Sequence, residues 1–229
     1  MMEAEPGVSW MGPRTAWLAG DVLSSALRGS LRELNARFLT CLKRMPEEDL
    51  GRFGFTPSVA RQLQTCEAQA LLIVAACPYA LFDAGFRQHD FWETVVRLAL
   101  PQAASGDGTF VPADDAPDYD ALTELVLFFA WHVASTNVLA TRLVLGMSPQ
   151  TAEVIRMSPL PAITSAVRSR RRLLRPRWPQ RTLFWQRLLA ITPQSSGEET
   201  TTAQLIGIQL MATDGFLESG NAAPHVKKR

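Results

Sequence analysis

Seven arginines, Arg168, Arg170, Arg171, Arg172, Arg175, Arg177 and Arg181, fall within fourteen positions, and no acidic residue stands between Glu153 and Glu198. A guanidinium presents a planar fork of donors that meets phosphate bidentately, and several of them together give an affinity that falls steeply with salt. The chemistry on offer is recognition of a polyanion. Nucleic-acid phosphate is one ligand; an acidic protein, or the chain's own Asp107, Asp114, Asp115, Asp118 and Asp120, is another, and a solubilising face needs none. The formal net charge of only +1 conceals this sorting, which still gives one surface a strongly positive potential. Trp178, between Arg177 and Pro179, offers a ring that stacks on a base or an arginine, or that packs beneath its own loop.

Other reactive residues suggest no catalysis. The chain lacks a glycine-rich phosphate loop, an HExxH and a GxSxG. His89-Asp90 and His132 stand apart from any nucleophile, and His132, inside an apolar stretch, reads as a hydrogen-bonded core residue. Cys41, Cys66 and Cys77 are odd in number, lie on apolar stretches and have no CxxC spacing, so they read as reduced core thiols. No catalytic residue, metal site, cofactor or small-molecule substrate is expected. The longest apolar stretches, Ala70 to Cys77 and Leu125 to Ala134, are far shorter than the roughly 20 residues that cross a bilayer. The opening MMEAEPGVSW carries acids where a signal peptide carries bases, so no membrane insertion and a cytoplasmic location are expected.

Helices must position these residues. Leu23, Leu27, Leu31, Leu34, Phe38 and Leu42 recur at three- and four-residue steps, predicting a helix over 21–43. Glu47, Glu48 and Asp49 after Pro46 favour a short helix, since acids suit a helix amino terminus. Thr56 as N-cap and Pro57 at the first position open a helix to about Gln64, and another runs from about Glu67 to Ala76. Residues 79–100 read as an aromatic-rich return strand or loop and a closing helix. A long helix over 119–145 follows, then one capped by Ser148-Pro149, one opened by Ser158-Pro159, and a short amphipathic helix around Leu205 to Met211.

The stretch around Gly54 recurs around Gly146. Gly54, Phe55, Thr56, Pro57 and Ala60 align with Gly146, Met147, Ser148, Pro149 and Ala152, and the shift of 92 carries Leu63 onto Ile155, Phe86 onto Trp178 and Gln88 onto Gln180. One inserted residue then places Phe91-Trp92 on Phe184-Trp185. Turn-formers and large aromatics at fixed separations are what two copies of one supersecondary module share. The expected organisation is an all-α chain: a flexible segment 1–20, a first helical module 21–100, a Gly/Pro/Asp-rich linker 101–118, a second module 119–193 carrying the arginines, and a polar tail 194–229.

Two short capped helices behind a long one invite a helix-turn-helix reading. In the first copy the second short helix, EAQALLIVAA, is apolar nearly all round, which suits burial and not a groove. Residues 137–178, and more weakly 45–86, with a Leu-Gly-hydrophobic turn, S/T-P-x-x-A-x-x-I/L and a return segment of Leu, Arg and an aromatic, resemble the D subunit of the flagellar transcriptional activator (FlhD-like) and relatives that activate transfer genes of conjugative elements. That resemblance implies a DNA-binding co-activator that works with a zinc-bearing C-type partner subunit to recruit RNA polymerase. Two copies in one chain depart from it and would pair as an intramolecular pseudo-dimer. The alternative is a non-enzymatic cytoplasmic adaptor of a secretion or motility apparatus.

Overall fold

The computed structural model describes residues 24–105, 117–163 and 173–221 and is all-α apart from one two-residue ladder. Helix α1 (Ser25–Arg44) begins where the Ser24 hydroxyl accepts from Leu27 N, and it buries Leu31, Leu34, Phe38, Leu39 and Leu42 along one side. Met45 turns extended ahead of Pro46, and α2 (Glu47–Phe53) starts with its three acids. It stops at Gly54, whose φ of 103° is cheap only for glycine. Helix α3 (Pro57–Thr65) opens on the Thr56 cap and α4 (Ala68–Val74) follows across two residues. A loop leads into β1 (Phe82–Asp83), and α5 (His89–Ser105) closes this half.

The second half runs through α6 (Pro117–Thr136), α7 (Val138–Ala140), α8 (Pro149–Met157), helical residues 160–163, β2 (Arg175–Pro176) and α9 (Thr182–Leu189), and ends in α10 (Gly197–Asn221). The helix expected to run unbroken over 119–145 is interrupted. Asn137 is extended (φ −153°, ψ 96°) because its side chain turns to cap the next helix, accepting from Ala140 N at 3.0 Å, the local competition that makes Asn a poor helix-interior residue. The chain then widens into a π-helical turn, Thr141–Leu145, and is stopped by Gly146. Part of the expected linker is helical, since α5 extends to Ser105 and Pro117 is the first residue of α6, where its missing N–H costs nothing. The expected short C-terminal helix is 25 residues long. It starts inside the polar stretch because Ser196 and Glu199 form a reciprocal capping box, Glu199 N to Ser196 Oγ at 3.1 Å and Ser196 N to Glu199 Oε2 at 2.9 Å. The expected flexible segment 1–20, Asp107, Asp114 and Asp115, and the basic end of the tail lie outside the described residues.

One continuous core serves both halves, plugged by the fully buried Trp92 and Trp185. Helix α1 packs on α6, α5 on α8, and α9 on α3, so each half's closing helix lies on the other half's short capped helix. The β1–β2 ladder is antiparallel, pairing Phe82 with Pro176 and Asp83 with Arg175. Several local features recur. Helices α3 and α8 are both nine residues with a hydroxyl N-cap and Pro at the first position. Beyond them the matching shift is 93. Gly85 and Trp178 both have positive φ, at 72° and 50°. Gln88 N donates to Gly85 O at 2.8 Å and Arg181 N to Trp178 O at 2.9 Å. The pairs Phe91–Trp92 and Phe184–Trp185 meet edge-on, each at 5.5 Å. In backbone terms Trp178 therefore matches Gly85 and Arg181 matches Gln88, one position off the alignment expected from residue types, so the extra residue precedes β2. No helix among the described residues is long and apolar enough to cross a membrane.

Candidate nucleic-acid interface

The arginine run divides into three groups. Arg168, Arg170, Arg171 and Arg172 lie outside the described residues. Arg175 and Arg181 are exposed, Arg175 on β2 opposite Asp83 and Arg181 at the cap of α9. Arg177 is interior: it is 7% exposed, so its guanidinium is no surface phosphate ligand, and the expectation that it contributes to a basic surface is corrected. The reason is that β2 ends at Pro176: along it Arg175 faces out and Pro176 in, and Arg177, next in the chain, reaches inward to Val144 O with its guanidinium beside the Trp178 ring.

Inside, Arg177 donates from Nη1 to Val144 O at 3.3 Å, its guanidinium carbon sits 4.3 Å from the Trp178 ring centroid, and it lies against Gly146 so closely that a Cβ there would overlap it. Burial lowers its pKa to about 10, opposed by the charges of Asp83 and Asp214, so it remains a cation at neutral pH. Neither acid belongs to the stretch 101–118 that was one expected partner.

Trp178 follows the self-packing alternative. Its ring meets Tyr79 at 5.9 Å and Phe184 at 5.4 Å, both edge-on, and its Nε1 donates to Asp214 Oδ2 at 2.8 Å. The arginine it stacks with is Arg177. Asp214 also pairs with Arg87 at 3.1 Å, and the Tyr79 hydroxyl donates to Gln204 O at 3.0 Å. Tyr79, Gln204 and Asp214 carried no sequence signal, being single polar residues in unremarkable surroundings. Gly207, inside an apolar helical pattern, did carry one, because such a glycine marks a close approach, and the Tyr79 ring rests on it.

Around the arginines, α8 and the helical residues 160–163 are joined by a tight turn at Ser158, and Trp131 Nε1 donates to Ser158 O at 3.2 Å, fixing that turn to α6. The matching α3–α4 pair buries Ala70, Leu71 and Val74, yet Leu72 is half exposed.

The other candidate reactive groups are placed as follows. His132, expected in the core, is exposed on α6, because the apolar stretch around it faces inward on its other sides. Cys66 and Cys77 are buried as expected, while Cys41 is half-buried. Burial pushes the Cys77 thiol up to about 12 despite a hydrogen bond with Tyr79, and it raises Cys66 against the opposing charge of Lys43, so neither is an activated thiol. His89, Asp90 and Glu93, on the first turn of α5, bring ligand atoms within 4.8 Å of one another. Both carboxylates face solvent, as acids at a helix amino terminus commonly do.

Compared with known proteins, the chain matches no family model, no curated protein and no solved structure.

Proposed function

We propose that this chain is a cytoplasmic DNA-binding transcriptional regulator or co-activator subunit of the kind the FlhD-like resemblance implies, acting with a C-type partner subunit and RNA polymerase. It is built as two related helical modules paired within one molecule. What supports the duplication is reciprocity: α5 lies on α8 as α9 lies on α3, and β1 and β2 pair about a point that exchanges them. The observation that carries DNA binding is the coincidence of a capped, tightly turned helix pair, α8 and residues 160–163, with the acid-free arginine stretch that continues from it to the exposed Arg175 and Arg181. No residue is assigned to catalysis.

The adaptor reading has its own observation. Leu125 and Phe128 on α6, Leu139 and Leu143 beyond it, and Met157 at the end of α8 are exposed apolar side chains, the raw material of a protein interface. A pull-down from native extract with and without nuclease separates the two. Recovery of DNA with a zinc-bearing subunit and RNA polymerase supports the regulator; nuclease-insensitive recovery of apparatus proteins alone replaces it with the adaptor.

A further inference from the structure

Helix α6 turns to solvent a face composed like an interior. It packs on α1 and α8 and buries Leu122, Val126, Leu127, Ala130 and Val133. The remaining arc, at steps of three and four, carries Ala121, Leu125, Phe128, His132 and Ser135, all exposed. Between Ala121 and Thr136 the one charged residue, His132 aside, is Glu124. The molecule supplies its own comparison. Helix α1, the long helix of the first half, also has 20 residues, and its exposed positions include Arg28, Arg32, Glu33 and Arg37, the polar face of a helix left in water. Solvation therefore does not account for the α6 face, whereas an apolar partner does. The face continues past α6. Trp131, half-buried at its edge, donates from Nε1 to Ser158 O at 3.2 Å, which sets the exposed Met157 beside it.

We propose that this face is the interface of a homodimer, in which α6 of two copies packs antiparallel about a twofold axis level with Phe128. Self-complementarity points to a second copy. Phe128 lies at the middle of the exposed arc, with Leu125 and Trp131 three residues to either side and Glu124 and His132 four. A twofold perpendicular to the helix at Phe128 reverses that order. It stacks Phe128 on its own copy and brings Leu125 level with the second copy's Trp131 and Glu124 level with the second copy's His132. Acid thus meets imidazole at both ends and no like charges oppose, whereas a parallel pair sets Glu124 against Glu124. The arc from Ala121 to Ser135 spans about 21 Å of helix, a footprint at the small end of specific interfaces, so the dimer is expected to dissociate at about micromolar concentration. Dimerisation through α6 is independent of DNA binding, which rests on the arginines.

The test is sedimentation equilibrium of the full chain from about 1 to about 200 µM, a range that brackets a micromolar dimer. The wild type is expected to move from the monomer mass of 25.3 kDa toward twice that. Phe128→Glu, on the solvent side of the helix, is expected to keep the wild-type urea midpoint and to weaken the dimer at least about tenfold. Leu125→Ser takes its place should that midpoint fall. His132→Glu, which faces Glu124 of the second copy, is expected to weaken the dimer about fivefold, and adding Glu124→Lys to it is expected to restore the affinity to within a factor of about two. That rescue is specific to the antiparallel pair, since a parallel one leaves lysine against lysine and glutamate against glutamate. A monomer throughout the range, a dimer indifferent to these apolar substitutions in a folded chain, or failure of Glu124→Lys to rescue His132→Glu would each overturn the proposal.

Discussion

Replacing Asn35 by alanine is expected to destabilise the protein by about 3 kcal/mol while leaving every surface group in place. Asn35 is fully buried on α1 and holds the loop that follows α4. Its Nδ2 donates to Ala75 O at 3.2 Å and Tyr79 O at 3.0 Å, and its Oδ1 accepts from Leu81 N at 2.9 Å. Alanine removes all three partners at once. Each such bond contributes about 1 kcal/mol net, and each buried group left unpaired costs about 1–3 kcal/mol, so the sum of about 3 kcal/mol is a lower figure. Against a typical total of about 5–15 kcal/mol this is a large fraction. With a urea dependence of about 2–3 kcal/mol per molar, the unfolding midpoint should fall by about 1 M or more. The same loop carries Tyr79 to its hydrogen bond with Gln204 of α10 and Leu81 to β1, so hydrogen exchange should show the Leu81 amide losing protection first. A loss below about 1 kcal/mol, or an unchanged Leu81 amide, would refute the reasoning that Asn35 ties α1 to the β1 approach.

Three further outcomes follow from the same geometry. Gly146→Ala should cost at least about 2 kcal/mol in urea unfolding, because its φ of 65° disfavours any Cβ and the Arg177 guanidinium occupies the space; a neutral result would mean that Arg177 is not anchored there. Cys77 holds its proton in the folded state up to about pH 12, whereas an unfolded thiol releases it near 9.0. The folded state thus binds more protons across that window, and stability should fall as pH rises from about 9 to 12, a slope that Cys77→Ala should flatten in alkaline denaturation. Thiol labelling under native conditions at pH 8 should modify the half-buried Cys41 first and spare Cys77 until unfolding; rapid native labelling of Cys77 would contradict its burial.

The helix starts were legible because they rest on local chemistry. Thr56-Pro57 and Ser148-Pro149 announce their helices as caps, and Gly54 and Gly146 end the segments before them at positive φ. The interruption at Asn137 was less visible, since an apolar pattern continues across it and only the side chain's turn to Ala140 N breaks the helix. Within the arginine run, type and spacing could not separate Arg175 from Arg177. Two residues apart on an extended strand they would share a face, yet β2 ends at Pro176 and long-range contacts, with Val144 O and the Trp178 ring, draw Arg177 inside. The length of α10 was obscured by the polar residues of its first turns, whose role is a capping box and not a linker. The way each closing helix crosses to the other half is a long-range choice that no local signal encodes.

The most direct measurement is fluorescence anisotropy of the full chain on duplex DNA over a range of salt, comparing the wild type with Arg175→Ala/Arg181→Ala, both exposed in the structure. A DNA-binding basic surface predicts a linear fall of log affinity with log salt, and a slope shallower by about 0.9 for each arginine removed that contacts a phosphate. Unfolding of the variant should stay unchanged. No binding at low salt, or a slope indifferent to both substitutions in a folded protein, would contradict it and leave the arginines to a protein partner.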